Sequence, residues 1–349
     1  MSASLPARTL HLAAHCDEGV PTAAHFKIVD TVVDTALPPN ALLLRALVLS
    51  ADPYQRSMVR AGRPSTVAPG APLRGFIAGR VEASTLAGWA AGDLFGGSLP
   101  LSTLQVATQV TLGATAFWRL PSIGEANISL GVGALGMPGA TAFGGLIDVL
   151  RPAAGETLLV TAASGAVGQL VCQLAKARGV RVIGTAGGAA KCALLRDVFG
   201  ADVAIDHKEC ATPAALEAAV RAAAGPKGLH MVFENVGTST FEVAFKCLGN
   251  GGRIAICGGI AAYGMPVSPT CAIDPLQMIY TAQRIEGFVC TPWLVGARGG
   301  GEWLRVLAAG VEDGSISTRE TVFEGIEAWP EAFASLFTGA NTGKVVVRV

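Results

Sequence analysis

The stretch Thr157-Leu-Leu-Val-Thr-Ala-Ala-Ser-Gly-Ala-Val-Gly168 constrains this chain more than any other. Leu158 to Ala162 is an apolar run, as expected of a strand covered on both faces of a parallel sheet. After it, Val167, Leu170, Val171, Leu174 and Ala175 recur at spacings of three and four residues, so one helix face is apolar and packs on that sheet. Between strand and helix, Gly165 presents no Cβ to an approaching pyrophosphate and Gly168 allows close packing. The helix N-terminus offers N–H groups and a partial positive charge. Ala163 stands where the usual fingerprint has its first glycine, and short Gly-x-x-Gly pieces are common in a chain with 44 glycines. On the local pattern alone, an ordinary helix-packing glycine pair stays open.

The surrounding pattern favours the nucleotide reading. Strand-like runs at Arg181–Ala186, Val203–Ile205, His230–Phe233, Arg253–Cys257 and Arg284–Val289 alternate with helical patterns at Ala189–Phe199, Thr212–Ala224 and Thr240–Leu248. Such alternation specifies an α/β fold with a doubly wound parallel sheet, made of two mononucleotide-binding halves. An NAD site usually places an acid about 20 residues after the glycine turn, where it would repel a 2′-phosphate. Here no Asp or Glu occurs between Glu156 and Asp197, while Lys191 lies just beyond the expected place, with Arg181 nearby. The charge pattern favours NADPH; Lys191 as a solvated helix residue is the competing reading.

Matching pieces along the chain resemble the medium-chain dehydrogenase/reductase superfamily, and within it the zinc-free, NADPH-dependent double-bond reductases. These are Leu49-Ser-Ala-Asp-Pro-Tyr-Gln-Arg56, Gly136-Met-Pro-Gly-Ala-Thr-Ala142, Ala162-Ala-Ser-Gly-Ala-Val-Gly168, Ala186-Gly-Gly-Ala-Ala-Lys-Cys192, Phe233-Glu-Asn-Val-Gly237, Cys257-Gly-Gly-Ile-Ala-Ala-Tyr263, Glu286-Gly-Phe288 and Asn341-Thr-Gly-Lys344. The resemblance implies a Rossmann domain over residues 133–291. It also implies a mostly β, GroES-like catalytic domain over 1–132, completed by 292–349. It puts the pyrophosphate at Gly165, Ala166, Val167 and Gly168, and the 2′-phosphate at Lys191 with His207, which stands where the family commonly has tyrosine. An imidazole there can donate to a phosphate and would strengthen the contact when protonated, so NADPH affinity is expected to depend on pH. Asn235, Cys257, Gly258, Tyr263, Phe288, Val289, Cys290 and Asn341 fall at the remaining family cofactor positions.

Metal-assisted alcohol oxidation is disfavoured. The eight cysteines form no C-x-x-C pair, and Arg74-Gly-Phe-Ile-Ala-Gly79 stands where the zinc enzymes of the superfamily have a Gly-His-Glu segment. The cysteines read as reduced core thiols. What remains is hydride addition to the β-carbon of an enone or alkenal, followed by protonation at the α-carbon. A neutral phenol suits that chemistry. Of three tyrosines, Tyr263 is the catalytic candidate and Tyr54 a candidate for lining the substrate pocket, while Tyr280 falls in no family motif. Tyr263 as a packing residue stays open, as do water or the nicotinamide ribose hydroxyl as proton donor. Phe143 replaces a residue that is often tyrosine in the family, which would alter pocket polarity. Two other functions also stay open: a quinone oxidoreductase, and a NADPH-binding regulatory protein with little turnover.

A chain of 349 residues exceeds what one core usually supports. Net charge is zero and no two Lys or Arg residues are adjacent, which excludes a nucleic-acid or anionic-membrane surface and leaves a small-molecule substrate. Charged residues make up only 15%, against about 25% usually, so apolar surface is expected between subunits, and the family precedent is a homodimer. The uncharged interval 157–175 is explained as strand, turn and helix rather than as a membrane span. Met1-Ser-Ala-Ser-Leu-Pro-Ala-Arg8 has no charged region followed by an apolar core, so no secretory signal and a cytoplasmic location are expected. The three glycines at 299–301 suggest a mobile segment acting as a lid.

Overall fold

The structure, a computed structural model, describes residues 4–267 and 269–349; part of the N-terminal stretch read above, Met1 to Ala3, lies outside them, as does Ser268. The residues group into two compact units. One comprises the chain up to Met137 with Leu294–Arg298 and Glu320–Val349, the other Pro138–Trp293 with Gly299–Arg319.

The first unit starts with strands β1 (Ser4–Leu12), β2 (Phe26–Asp34), β3 (Ala41–Ser50), β4 (Arg74–Ser84), β5 (Leu94–Pro100), β6 (Leu104–Thr108) and β7 (Phe117–Arg119). The second contains β8 (Thr157–Val160), β9 (Arg181–Ala186), β10 (Val203–Asp206), β11 (Leu229–Glu234), β12 (Leu248–Ile256) and β13 (Arg284–Gly287). The chain then returns to the first unit with β14 (Glu320–Glu324) and β15 (Lys344–Arg348).

In the first unit β1 pairs with β2, and a seven-stranded sheet runs β14-β15-β3-β4-β5-β7 with β6 on β3. Its core joins Leu42, Leu44, Leu49, Ile77 and Phe95 to Trp329, Phe333 and Val345 from the far end of the sequence. The buried ion pair at this junction is fully satisfied. Lys344 Nζ donates to Asp52 Oδ1 at 2.9 Å, Ala51 O at 2.8 Å and Val345 O at 3.0 Å, while the Ser50 hydroxyl donates to the other Asp52 oxygen. Two motifs almost three hundred residues apart are thereby joined. Both side chains are about 2% exposed, so the pair is nearly out of water.

The second unit is the doubly wound sheet, with parallel order β10-β9-β8-β11-β12-β13. β8 is entirely buried, as its unbroken run of Thr, Leu, Leu and Val requires. Helix Gly168–Lys176 buries Leu170, Val171, Leu174 and Ala175 as the periodicity demands. Helix Pro213–Ala224 starts one residue later than the pattern suggested, because the Thr212 hydroxyl caps it by accepting from Ala215 N. Two further elements were not legible. Helix Met137–Phe143 continues into a wider, π-type helix Gly144–Leu150, where Gly144 and Gly145 leave room for Trp293 and for Phe288 and Phe233. Phe143 itself is core, at 2% exposure.

Segment 299–319, read from sequence as part of the first domain, packs with the second unit instead. The reason is polar. Gln169 Oε1 accepts from Arg319 N at 2.8 Å, and Gln173 accepts from Ser317 N at 2.7 Å and donates to Ser317 O at 2.8 Å. Gly299, Gly300 and Gly301 all have positive φ, which explains three glycines in a row.

Removing one partner of a buried ion pair leaves the other charge uncompensated, at about 3 to 5 kcal/mol. Lys344→Met is expected to lower unfolding free energy by about that amount, measured by urea denaturation, whereas the double variant Lys344→Met with Asp52→Leu recovers part of the loss.

Candidate active site

In a parallel sheet every strand ends on the same edge. The chain moves from β8 outward through β9 and β10, then crosses back to β11, so the order reverses between β8 and β11, where such sheets bind ligands. The segments after the six strands, 161–168, 187–191, 207–208, 235–238, 257–263 and 288–290, contain the residues the sequence singled out for this unit. One edge thus gathers Gly165, Ala166, Val167, Gly168, Lys191, His207, Asn235, Cys257, Gly258, Tyr263, Phe288, Val289 and Cys290. Tyr54 and Asn341 belong to the first unit. There the Tyr54 ring meets Phe76 edge-on at 6.3 Å, and Asn341 Nδ2 donates to Gly343 O at 3.3 Å.

The glycine turn has the form of a phosphate cradle. Ala162 adopts a left-handed φ of 47°, an arrangement that costs a non-glycine residue about 1 kcal/mol and is characteristic of strained functional turns. A Cβ on Gly168 would lie 2.6 Å from Ala162 O and Ala163 Cα, so only glycine lets the helix start this close to the strand. A Cβ on Gly165 would meet only Ala162 O, at 3.2 Å, and would otherwise fill space above the turn. No side chain caps the helix N-terminus, and the buried Ala163 instead donates its N–H to Thr185 O at 2.9 Å.

After β9 and β10 the structure gathers basic side chains. Built on Gly187, a Cβ would come within 3.0 Å of both His207 Nε2 and Lys208 Cε. Lys208 in turn pushes the Lys191 ammonium below its ordinary pKa, second to the effect of burial. Lys208 was missed in the sequence, where it is one residue among many; only the adjacency of β9 and β10 brings it to Lys191. Asp206 is the acid of this corner. Its Oδ1 accepts from Gly188 N at 2.9 Å and Lys208 N at 3.0 Å, so it shapes the loop, and the Gly188 contact first of all holds it below the usual carboxylate range.

Next along the edge, Asn235 locks two turns together, with its N–H on Thr161 Oγ1 at 2.8 Å and its amide on Thr161 O at 2.7 Å. The loop after β12 hangs on the same turn through Cys257 N to Glu234 O, Ile260 N to Asn235 O and Ala261 N to Val236 O. Tyr263 closes that loop. Burial above all, and then the neighbouring Cys257 thiol, raise its pKa against a lowering contact from the Gly259 backbone, so the phenol keeps its proton at neutral pH. Phe288, half-buried, packs edge-on against Phe233 and Trp293, whereas Val289 is exposed. All eight cysteines are free thiols. Burial pushes Cys172 up to about 12 and Cys247 up to about 11.

The fold and this edge define a dinucleotide-dependent oxidoreductase built from a parallel α/β unit and a mostly β unit. Residues 166–293 match a family described as zinc-binding dehydrogenase, and residues 8–114 the N-terminal domain of oxidoreductase. Prostaglandin reductase 1 of Bos taurus is 37% identical over 95% of both chains. The NADPH-dependent curcumin reductase of Escherichia coli is 34% identical over 95% of this chain and 94% of its own. The crystal structure of CurA from Vibrio vulnificus in complex with NADPH superposes with a TM-score of 0.86 at 31% identity, covering 98% of this chain and 99% of that one. The chain belongs to the double-bond reductase branch of the medium-chain dehydrogenase/reductase superfamily.

The zinc named in one family description does not fit the residues present. Among the described residues no three His, Cys, Asp or Glu side chains converge to hold a metal, and Arg74 to Gly79 form part of continuous strand β4. No single described helix is long and apolar enough to cross a membrane; one bent pair, Glu125–Val132 with Met137–Leu150, passes by length and composition only.

If the cation cluster reads a 2′-phosphate, Lys191→Ala is expected to weaken NADPH by about 1.5 to 3 kcal/mol, one charge-assisted contact, and to leave NADH nearly unchanged. Fluorescence titration with both cofactors checks this, and an equal loss for both would refute the assignment.

Proposed function

We propose that this protein reduces the carbon–carbon double bond of α,β-unsaturated ketones or aldehydes with NADPH. The observation that carries the reading is the single sheet edge on which the glycine cradle, the Lys191–Lys208–His207 cluster and the protonated Tyr263 stand together. When bound, NADPH supplies the hydride that adds to the β-carbon.

The residues divide the remaining work. The turn Gly165 to Gly168 receives the pyrophosphate at the N-terminus of the following helix, Gly165 contributing space rather than its N–H, which donates to Ala162 O. Lys191 and Lys208 neutralise the 2′-phosphate, and the His207 imidazole donates to it. Asn235, Cys257, Gly258 and Phe288 to Cys290 lie where the nicotinamide half would run, and Asn341 and Tyr54 are the contributions proposed for the first unit, to cofactor and substrate respectively. The domains proposed for this work remain 133–291 for the cofactor and 1–132 with 292–349 for catalysis, less the segment 299–319. Tyr263 donates a hydrogen bond to the carbonyl oxygen as negative charge develops there and passes its proton to the α-carbon, the phenolate left behind taking a proton from solvent.

A neutral, half-buried phenol on the edge favours enone chemistry over quinone reduction, which requires no proton at carbon. NADPH oxidation measured with enones, alkenals, quinones and no substrate tests the choice. Turnover with quinones alone, or none with any substrate, would overturn it. Tyr263→Phe is expected to lower kcat for enones by about 10² to 10³, the usual cost of one oxyanion donor, with NADPH affinity nearly intact. Full enone turnover in the variant would return Tyr263 to a packing role.

The partner proposed is a second copy of this chain. β13 is the outer strand of its sheet, and beside it Leu276, Ile279, Tyr280 and Val289 are exposed, Tyr280 at 82%. Light scattering is expected to give twice the chain mass, and Ile279→Asp with Tyr280→Asp to give the single-chain mass. Eight free thiols support a reducing compartment, the cytoplasm.

A further inference from the structure

Glu234 is the last residue of β11, fully buried, and no cation offsets it. One carboxyl oxygen accepts from Val236 N at 2.7 Å and Gly237 N at 2.6 Å, while the other makes no hydrogen bond within the described residues. The turn it holds is unusual backbone, with φ of 79° at Gly237 and 54° at Thr238. The carbonyls of Glu234, Asn235 and Val236 accept from Cys257, Ile260 and Ala261, so the loop that ends at Tyr263 is hung on this turn. A fully buried side chain thus stands beneath both turns of this edge.

We propose that Glu234 is a positioning residue, whose carboxyl holds the Asn235–Thr238 turn and, through that turn's carbonyls, the loop carrying Tyr263. The proposal rests on the reading of this edge as the NADPH site.

The chemistry of the position disfavours the charged form of the acid. Burial raises the Glu234 pKa, opposed by the N–H groups of Gly237 and Val236 and by the Thr161 hydroxyl. The groups facing it among the described residues are Thr161 beyond β8 and the Cys257 thiol beyond β12, with none bearing a positive charge. An acid whose folded-state pKa is raised binds its proton more tightly folded than unfolded. Its stabilisation is complete below the ordinary carboxylate pKa and is lost as pH rises toward the folded value. Glutamine keeps the accepting oxygen without ionising, so Glu234→Gln should gain thermal stability relative to the parent as pH rises above the ordinary carboxylate pKa.

The test uses Glu234→Gln and Glu234→Leu in the full chain, read without cofactor by amide hydrogen exchange and with it by NADPH titration. Exchange at Val236, Gly237, Ile260 and Ala261 should be parent-like in the Gln variant and at least about tenfold faster in the Leu variant, which strands two N–H groups. NADPH affinity should stay within about threefold for Gln and fall at least about tenfold for Leu. If the Leu variant fails to fold, Glu234→Asp, which withdraws the carboxyl by one methylene, replaces it with the same expected direction in both readouts. Parent-like exchange and affinity in the Leu or Asp variant, or a Gln variant as impaired as Leu, would overturn the proposal. A parent protein that does not bind NADPH would instead refute the functional reading, and the exchange data on the cofactor-free chain would still decide the role of Glu234.

Discussion

The close approach of helix Gly168–Lys176 to the end of β8 is the constraint on which the cofactor edge depends. It is possible because Gly168 has no Cβ to strike Ala162 O, and because Ala162 accepts a left-handed φ at a cost of about 1 kcal/mol. The approach also aligns the rest. Thr161, immediately before the turn, is the acceptor for Asn235, and the turn after β11 is in turn the scaffold for the loop after β12. Strain at one residue is thus offset by hydrogen bonds that tie three loops on one edge.

Electrostatics along that edge vary with position. At the corner beyond β9 and β10, burial first and the Lys208 ammonium second disfavour the charge on Lys191, and an anion there would favour it. Toward β11 and β12 the ionisable groups are acids whose pKa values burial raises: Glu234, Cys257 and Tyr263. A phosphate is suited to the first region, and an uncharged ring with a polarised carbonyl to the second. The family match, with curated relatives aligned along almost the whole chain, agrees with this division.

The first unit is organised by a different device. Asp52 and Lys344, far apart in sequence, form a buried pair with every partner satisfied, at the junction of the motifs containing Tyr54 and Asn341. A buried pair contributes little net stability over an apolar substitute. Its effect here is geometric, fixing where the last strand meets the turn after β3.

The sequence by itself determined the alternation of strands and helices in the second unit, the glycine turn, the absence of an acid after β9 and the family. Each of these is written in local periodicity or in a short contiguous motif, where neighbours in sequence are neighbours in space. Tertiary structure alone decided that Lys208 joins Lys191, because strand order brings two loops together. It also placed 299–319 with the second unit, because two glutamine side chains hold that backbone, and it made helices of the 137–150 stretch, because glycines there admit aromatic rings from β11 and the 288–293 segment. The buried position of Glu234 belongs to the same class: its motif was visible, but burial and an unsatisfied oxygen are properties of the packed sheet, set by residues from β8 and β12 that no local pattern connects to it.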